Sequence, residues 1–249
     1  MADGELVLYH ALGSTASKKV RLTLYEKGID FGSVVLNLKT FDHHAPDYVA
    51  LNPNGVVPTL VHRGRPLVES SVIMDYLDEI FPEPPLKPED PFLRAQMRIW
   101  VKLSDDVAAG AVAAPSWMIS NIDAFDGKSA EERDAILARV PTRERRERWQ
   151  AMAAGGFKPQ EIERAEERMH ICLGRMEVAL GDRDWLVGSY SLADIALVPF
   201  IDRMRSIRPQ FFEGDRYRRV GDWFARLSAR PAFAPAFNFR PAAPAAGVA

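Results

Sequence analysis

A proline-rich stretch, FPEPPLKPEDP at residues 81–91, divides the sequence into two parts of different character. It holds five prolines in eleven residues. Because proline lacks a backbone N–H and fixes φ, such a stretch continues neither a helix nor a sheet and is typical of a linker. We therefore expect a first domain at 1–82, the linker at 83–93 and a second domain at 94–249.

The part before the linker alternates between strand and helix patterns. Apolar segments at Leu6–Tyr9 and Ser33–Leu38 predict strands, and Lys18–Lys27 between them carries apolar residues at helical spacing. The order strand, helix, strand indicates a parallel βαβ unit. A hairpin that turns at Arg63–Arg65 and a helix through Ile80 complete this domain.

The part after the linker is helical almost throughout. Helical periodicity is found at 92–118 (one helix or two), 130–137, 160–180, 192–207 and 216–227. The predicted fold class is therefore a small α/β domain followed by an all-α domain. The charge run at 139–169 predicts a solvated helix face, and RPAAPAAGVA at 240–249 predicts a frayed tail.

Composition excludes several classes of function. The formal net charge is −2, from 32 basic and 34 acidic residues, which argues against binding nucleic acid or a membrane surface. A single cysteine, Cys172, allows no internal disulfide and indicates a reducing compartment. With no signal peptide pattern and no apolar run of about 20 residues, we expect a soluble, cytoplasmic protein. No spacing typical of a metal site or nucleotide loop occurs, so we expect no metal.

Hydroxyl side chains follow the first predicted strand, in HALGSTASKKVRL. Ser14 and Ser17 stand at a strand-to-helix junction, where the ordinary structural explanation is an N-cap. The functional alternative is that one hydroxyl, together with the helix N-terminus, faces a ligand anion.

Three further segments of the first domain admit a structural and a functional interpretation. DHHAPDYVALNPNG is either a solvated loop or part of a ligand site. Pro58 is either a trans-proline at an edge strand or a cis-proline that leaves the Val57 backbone free to pair with an extended peptide. Glu69 and Ser70 either begin a helix or bind the ammonium and carboxylate of a ligand.

These segments, in this order, describe a site for a small zwitterionic peptide, and in them the sequence resembles the serine-type cytosolic glutathione S-transferases. ST-A-S-K-K-V at 14–20, HHAPDYVALNPNGVVPTL at 43–60 and VES at 68–70 carry the resemblance, together with the linker and YSLADIALVPFIDRM at 190–204. It implies a thioredoxin-like glutathione-binding domain, a helical domain, glutathione as co-substrate and a homodimer.

The resemblance also implies roles for single residues. Ser14, or by a second alignment Ser17, hydrogen-bonds the glutathione sulfur. The residues expected around the rest of glutathione are His43 and His44 at the glycine carboxylate, Val57 and Pro58 at the cysteinyl unit, and Glu69 and Ser70 at the γ-glutamyl unit. Many relatives have lysine where His44 stands, and neutral histidine binds a carboxylate less strongly than lysine does.

The second substrate is expected against the helical domain. Met97, Trp100, Trp117 and Met118 are candidates for an apolar pocket that binds a hydrophobic electrophile, and core packing explains each of them equally well. Asp194 in SLAD has the spacing of a capping box with Ser191, which is a structural role.

The leading functional hypothesis is a glutathione S-transferase whose glutathione thiolate attacks an electrophilic carbon. TLYEKG and VPTRERRERW…GGF at 140–157 resemble bacterial glutathione transferases related to lignin β-etherases, so cleavage of a β-aryl ether is one alternative. A non-catalytic glutathione-fold binding protein is another. Thiol–disulfide exchange is disfavoured because residues 10–17 contain no cysteine.

Overall fold

The computed structural model describes residues 6–240, which form a small mixed sheet with helices followed by a larger helical part. The tail predicted at 240–249 lies, apart from Arg240, outside the described residues. No helix in residues 6–240 is long and apolar enough to cross a membrane.

Four strands form one sheet in the order β2-β1-β3-β4. They are β1 (Leu6–His10), β2 (Gly32–Val35), β3 (Thr59–His62) and β4 (Arg65–Leu67). β1 pairs in parallel with β2, and β3 is antiparallel to both of its neighbours. The parallel β1–β2 pair is the βαβ unit that the strand–helix–strand pattern predicts, and the whole sheet has the thioredoxin-like arrangement that the family resemblance implies. β2 is shorter than expected and starts one residue earlier.

The register of the strands brings four chain segments to one edge of the sheet. His10 at the end of β1 is aligned with Val35 at the end of β2, and Tyr9 pairs with Thr59 at the start of β3. Leu67 at the end of β4 pairs with Leu60. The segments that leave β1, β2 and β4, and the one that enters β3, therefore all lie at this edge, which positions the site described below.

Three helices accompany the sheet: α1 (Thr15–Glu26), α2 (Pro46–Leu51) and α3 (Ser70–Ile80). α1 ends in a Schellman motif, because Gly28 (φ +62°) donates to the Tyr25 carbonyl and Ile29 donates to that of Leu24. The hairpin between β3 and β4 turns at Arg63 and Gly64, both at positive φ, as a two-residue turn with right-handed strand twist requires.

The remaining helices build the second part of the molecule. They are α4 (Pro91–Leu103), α5 (Ala109–Ser120), α6 (Ala130–Ala138), α7 (Arg143–Ala153), α8 (Pro159–Leu180), α9 (Leu192–Ile207), α10 (Arg218–Ser228) and α11 (Phe233–Phe237). A π-helical turn, Ser104–Ala108, joins α4 to α5, so the segment predicted as one helix or two is nearly continuous. Short 3₁₀ turns occur at Asp42–His44 and Pro209–Phe212.

The main core surrounds α9, which is buried over Leu192–Ile201. The Ser191–Asp194 capping box is present, as predicted, at its start. Asp194 accepts hydrogen bonds from the backbone N–H groups of Ser191 and Leu186 and from Trp223 Nε1, at 3.0, 3.1 and 2.8 Å. Burial raises the pKa of Asp194 to about 6, and the three donors oppose that shift. Asp194 is thus a structural residue.

The C-terminal end of the described chain returns to the first strand. Arg21 of α1 is fully buried and donates hydrogen bonds to the carbonyls of Ala236 (2.7 Å), Ala11 and Leu12. Phe239 lies edge-on against His10, with ring centroids 4.9 Å apart. Burial lowers the pKa of Arg21 to about 10, which leaves it charged at neutral pH.

Candidate active site

Ser14 caps the N-terminus of α1 at the edge of the sheet. It is half-buried, and its Oγ accepts a hydrogen bond from the Ser17 backbone N–H at 3.2 Å. A hydroxyl that accepts a hydrogen bond still has its own proton to donate. Ser14 therefore satisfies the predicted N-cap and keeps a donor beside the positive end of the helix dipole.

Ser17 has a different environment from Ser14. It is 0% exposed, and its Oγ accepts a hydrogen bond from the Ala11 backbone N–H at 3.3 Å. Its hydroxyl is enclosed within the loop that precedes α1. This burial weighs against contact between Ser17 and a ligand sulfur.

The Val57–Pro58 peptide bond is cis. Within residues 6–240, the backbone N–H and C=O of Val57 have no hydrogen-bond partner. Tyr48 and Asn52 hold the preceding turn, because Tyr48 Oη and Asn52 Nδ2 both donate to the Val56 carbonyl. Neither side chain stands out in the sequence as a site residue, although both lie in the segment that carries the family resemblance.

Glu69 and Ser70 form the junction between β4 and α3. Glu69 has φ +68°, a strained conformation for a non-glycine residue, and such residues concentrate at functional sites. Its carboxylate is exposed and has no hydrogen-bond or ion-pair partner in the described part of the chain. Ser70 is the first residue of α3. The junction thus presents a negative charge beside a helix N-terminus.

Lys19 connects this junction to the helical domain through hydrogen bonds. Its Nζ, fully buried, donates to Ser71 Oγ at 2.7 Å, to Asp105 Oδ1 at 2.8 Å and to Ser104 Oγ at 3.3 Å. Burial lowers the pKa of Lys19, and the carboxylates of Asp105 and Glu69 act in the opposite direction. Lys19 does not stand out in the sequence, because α1 is buried on nearly every side and has no exposed polar face from which a buried lysine could be distinguished.

His43 and His44 are buried, with exposed fractions of 6% and 3%. Their rings lie 3.9 Å apart, and neither Nδ1 atom has a hydrogen-bond partner. Burial, followed by the nearby positive charge, lowers the pKa of His43 to about 3 and that of His44 to about 4. Both imidazoles are therefore neutral at neutral pH. They contribute hydrogen-bonding groups and no positive charge.

Residues 121–158, the connecting segment between α5 and α8, cover the two histidines. Phe41 contacts Trp149 and Phe125 of this segment, with centroid distances of 4.8 and 5.9 Å. Gly55 (φ +57°) lies so close to Pro141 that a Cβ there would be 2.8 Å from its ring. Only glycine suits that position. The segment 139–169, predicted to be a solvated helix face, thus also has a buried side, on which Trp149 lies.

The four residues predicted for the second-substrate pocket lie in two separate clusters. Met97 (1% exposed) belongs to the main core, and Trp100 packs against that core. Trp117 and Met118 pack with the connecting segment, where Trp117 lies 4.6 Å from Trp149 between ring centroids. The π-helical turn separates the two pairs along the chain. Sequence periodicity does not show which part of a long helix meets which neighbour.

A cavity of about 520 Å³ lies between α5 and α8. Ala113, Phe157 and Ile171 line it together with charged residues that include Arg148 and Glu161. It contains none of the predicted site residues.

Comparison with known proteins assigns the chain to a family. The profile described as "Glutathione S-transferase, N-terminal domain" matches residues 8–85, and that described as "Glutathione S-transferase, C-terminal domain" matches residues 133–231. The chain belongs to the glutathione S-transferase family. The predicted thioredoxin-like and helical fold and the predicted glutathione transferase activity are thereby confirmed.

Two relatives match this glutathione transferase over most of its length. Protein LigF of Sphingobium sp. (strain NBRC 103272 / SYK-6) is 34% identical over 243 residues, which cover 94% of this chain and 93% of LigF. Maleylacetoacetate isomerase of Pseudomonas aeruginosa is 31% identical over 230 residues, which cover 91% and 92%. Among solved structures, the beta-etherase LigF from the same Sphingobium strain superposes with a TM-score of 0.87 at 31% identity, covering 94% of this chain and 99% of LigF.

Proposed function

We propose that Ser14 of this glutathione transferase stabilises the thiolate of bound glutathione. The observation that supports this assignment is the difference between the two serines, because Ser14 has a free hydroxyl proton at the sheet edge and Ser17 is enclosed. A free thiol has a pKa of about 8.5. A hydroxyl donor and the N-terminus of α1 together have to lower it by about 2 units, or about 2.7 kcal/mol, for the thiolate to predominate at pH 7.

The other groups at the edge are proposed to hold glutathione in an extended conformation. The unpaired backbone groups of Val57, before Pro58, suit the cysteinyl unit. The free carboxylate of Glu69 suits the ligand ammonium, and Ser70 with the N-terminus of α3 suits the γ-glutamyl carboxylate. His43 and His44 are proposed to lie at the glycine carboxylate as neutral hydrogen-bonding groups.

The proposed reaction is a nucleophilic displacement or addition. The sulfur forms a bond to an electrophilic carbon, and the electron pair of the broken bond leaves with a halide or aryl oxide, or moves into an activated alkene. We propose that the electrophile is apolar and that Trp117 and Met118, which border the connecting segment, contact it. The burial of Met97 in the core weighs against its contact with the electrophile.

The second candidate substrate class is a β-aryl ether. It is favoured by the likeness to LigF, named a beta-etherase, which extends through the connecting segment. In that case the thiolate sulfur forms a bond to the β-carbon of the ether, and the aryl oxide leaves from that carbon with the electron pair of the broken C–O bond.

We also propose a homodimer in the cytoplasm, with domains divided at 1–82, 83–93 and 94–249. Large apolar side chains are exposed at i, i+7 spacing on two helices, Phe92 and Ile99 on α4 and Ile171 and Val178 on α8. Such faces are typical of protein interfaces. Light scattering of the wild type and of Val178→Glu tests this proposal, which a monomeric wild type would contradict.

The test of the catalytic assignment compares Ser14→Ala with Ser17→Ala. We expect the absorbance of the bound thiolate to titrate about 2 pH units higher in Ser14→Ala than in the wild type. The rate with a reactive aryl halide should fall by about 25-fold at pH 7 and by little near pH 9.5, because the thiolate then forms without help. Ser17→Ala should keep the wild-type titration.

An unchanged titration in Ser14→Ala would remove Ser14 from the mechanism. Absence of any turnover, with glutathione still bound, would favour the non-catalytic binding protein. A panel of aryl halides, activated alkenes and β-aryl ether dimers then separates the substrate classes, since a β-etherase should turn over the dimers fastest.

A further inference from the structure

Arg145 is a half-buried arginine of the connecting segment whose guanidinium has no hydrogen bond or ion pair within residues 6–240. The other arginines of α7 all have hydrogen-bond or ion-pair partners. Arg143 pairs with Glu147 at 2.7 Å, Arg148 pairs with Glu144 at 2.9 Å, and Arg146 donates to the Val140 carbonyl at 2.9 Å. A partly buried cation without a partner lowers the stability of the folded protein, so this position is suited to bind an anion.

The packing of α7 defines what Arg145 faces. Arg145, Trp149 and Met152 follow one another at i, i+4 and i+7 and therefore share one face of the helix. Trp149 of that face packs on Phe41, which is adjacent to the turn that carries His43 and His44. Arg145 thus lies beside the two imidazoles, at the sheet edge of the glutathione site.

The pKa shifts of the neighbouring groups agree with this location of Arg145. The charge of Arg145 contributes to the lowered pKa of both His43 and His44, whereas burial lowers and Glu69 raises the pKa of Arg145 itself. Arg145 is therefore within electrostatic reach of groups proposed for both ends of the ligand. The neutral histidines leave the end near His43 and His44 without a positive charge of its own.

We propose that Arg145 binds the glycine carboxylate of glutathione, so that the connecting segment completes the ligand site from the helical domain. This inference rests on the proposed glutathione site. A guanidinium fits a carboxylate through two parallel N–H···O bonds and is a strong donor when partly shielded from water.

Arg139 is the other cation near this end, where it helps to lower the pKa of His44. It is exposed at the end of α6, so water screens its charge. Arg145 is less exposed to solvent than Arg139, so we assign the carboxylate contact to Arg145.

The test measures binding of glutathione and of its glycine ethyl ester by calorimetry. We expect the wild type to bind the ester about 10- to 100-fold more weakly, because the charged hydrogen bonds to the carboxylate are lost. Arg145→Gln should bind glutathione about 10- to 100-fold more weakly and should no longer distinguish the two ligands. Arg143→Gln, on the exposed face of the same helix, is the matched control and should behave as the wild type.

The outcomes separate this inference from the proposed function. A wild type that does not bind glutathione overturns the proposed function and this inference together. A wild type that binds glutathione and ester equally, or an Arg145→Gln protein that keeps the full preference for glutathione, overturns the assignment of Arg145 alone. A loss of affinity for both ligands with the preference retained indicates a purely structural role and also overturns it. Arg145→Lys, which keeps the charge and loses the paired geometry, should retain part of the preference even where Arg145→Gln is unstable.

Discussion

The two ends of the proposed glutathione site lie on the same sheet edge and are built in opposite ways. At the Glu69–Ser70 end, an exposed carboxylate and a helix N-terminus come from adjacent residues of one junction. At the His43–His44 end, two neutral imidazoles are buried under a segment about 100 residues further along the chain. A ligand site can thus take its polar groups from local sequence at one end and from tertiary packing at the other.

Replacement of Trp149 by alanine should separate the connecting segment from the His43–His44 end. Trp149 is buried against Phe41, Phe125 and Trp117. We expect Trp149→Ala to lower the free energy of unfolding by about 3–5 kcal/mol, because it leaves a large cavity. Urea denaturation measures the loss, and Trp149→Phe should lose less. A loss below about 1 kcal/mol would show that this contact does not hold the two parts together.

Acidification should destabilise the His43–His44 end specifically. The folded-state pKa values, about 3 and about 4, lie below the value of 6.5 for an unperturbed histidine. The unfolded chain therefore binds more protons as the pH falls, and stability is lost below about pH 6.5 and is constant above it. Each imidazole should contribute a loss of about 1.6 kcal/mol between pH 6.5 and pH 5.

Urea denaturation of the wild type and of His44→Gln at several pH values measures this contribution. The free energy of unfolding of the variant should depend less steeply on pH, because the contribution of one imidazole is missing. His10, whose pKa burial also lowers to about 4, contributes to the slope that remains. Equal slopes in the two proteins would show that His44 titrates normally in the folded state.

The smallest expected effects are on glutathione affinity, and they compare the two ends directly. Glu69→Gln removes the charge that faces the ligand ammonium, so affinity should fall by about tenfold, or about 1.4 kcal/mol. His43→Asn replaces one neutral donor by another and should change affinity by less than about threefold. Calorimetry on both variants, with unfolding midpoints as the control, checks the comparison. The reverse order of the two effects would contradict the division into a charged and a neutral end.

The parts of the fold that depend on local rules were predictable from the sequence. The helix stop at Gly28, the hairpin turn at Gly64 and the capping box at Ser191 each follow from the conformational preferences of a few adjacent residues. The polar residues at the sheet edge were identified through the family resemblance, and strand order and register bring their segments together. Their ligand contacts stay predictions until glutathione binding is measured.

The parts that depend on long-range packing were not predictable. α7 has the composition of an exposed helix, and only the fold shows that Trp149 is buried and that Arg145 shares its face. Two adjacent histidines give no sign in the sequence that they are buried beneath a distant segment. The separation of Met97 from Trp117 likewise arises from how α4 and α5 meet different neighbours, which periodicity does not encode.

The hydrogen bond from Arg21 to the Ala236 carbonyl has a consequence for how the chain is made. A ribosome completes α1 long before it adds residue 236, yet the buried guanidinium needs that last carbonyl among its acceptors. The part of the chain that holds the sheet therefore emerges from the ribosome with one of its buried charges incompletely paired, and it reaches its final state only after residue 236 has been added. A chain that ends before Ala236 lacks that acceptor, so the Arg21 guanidinium keeps one hydrogen bond fewer than in a chain that includes residue 236.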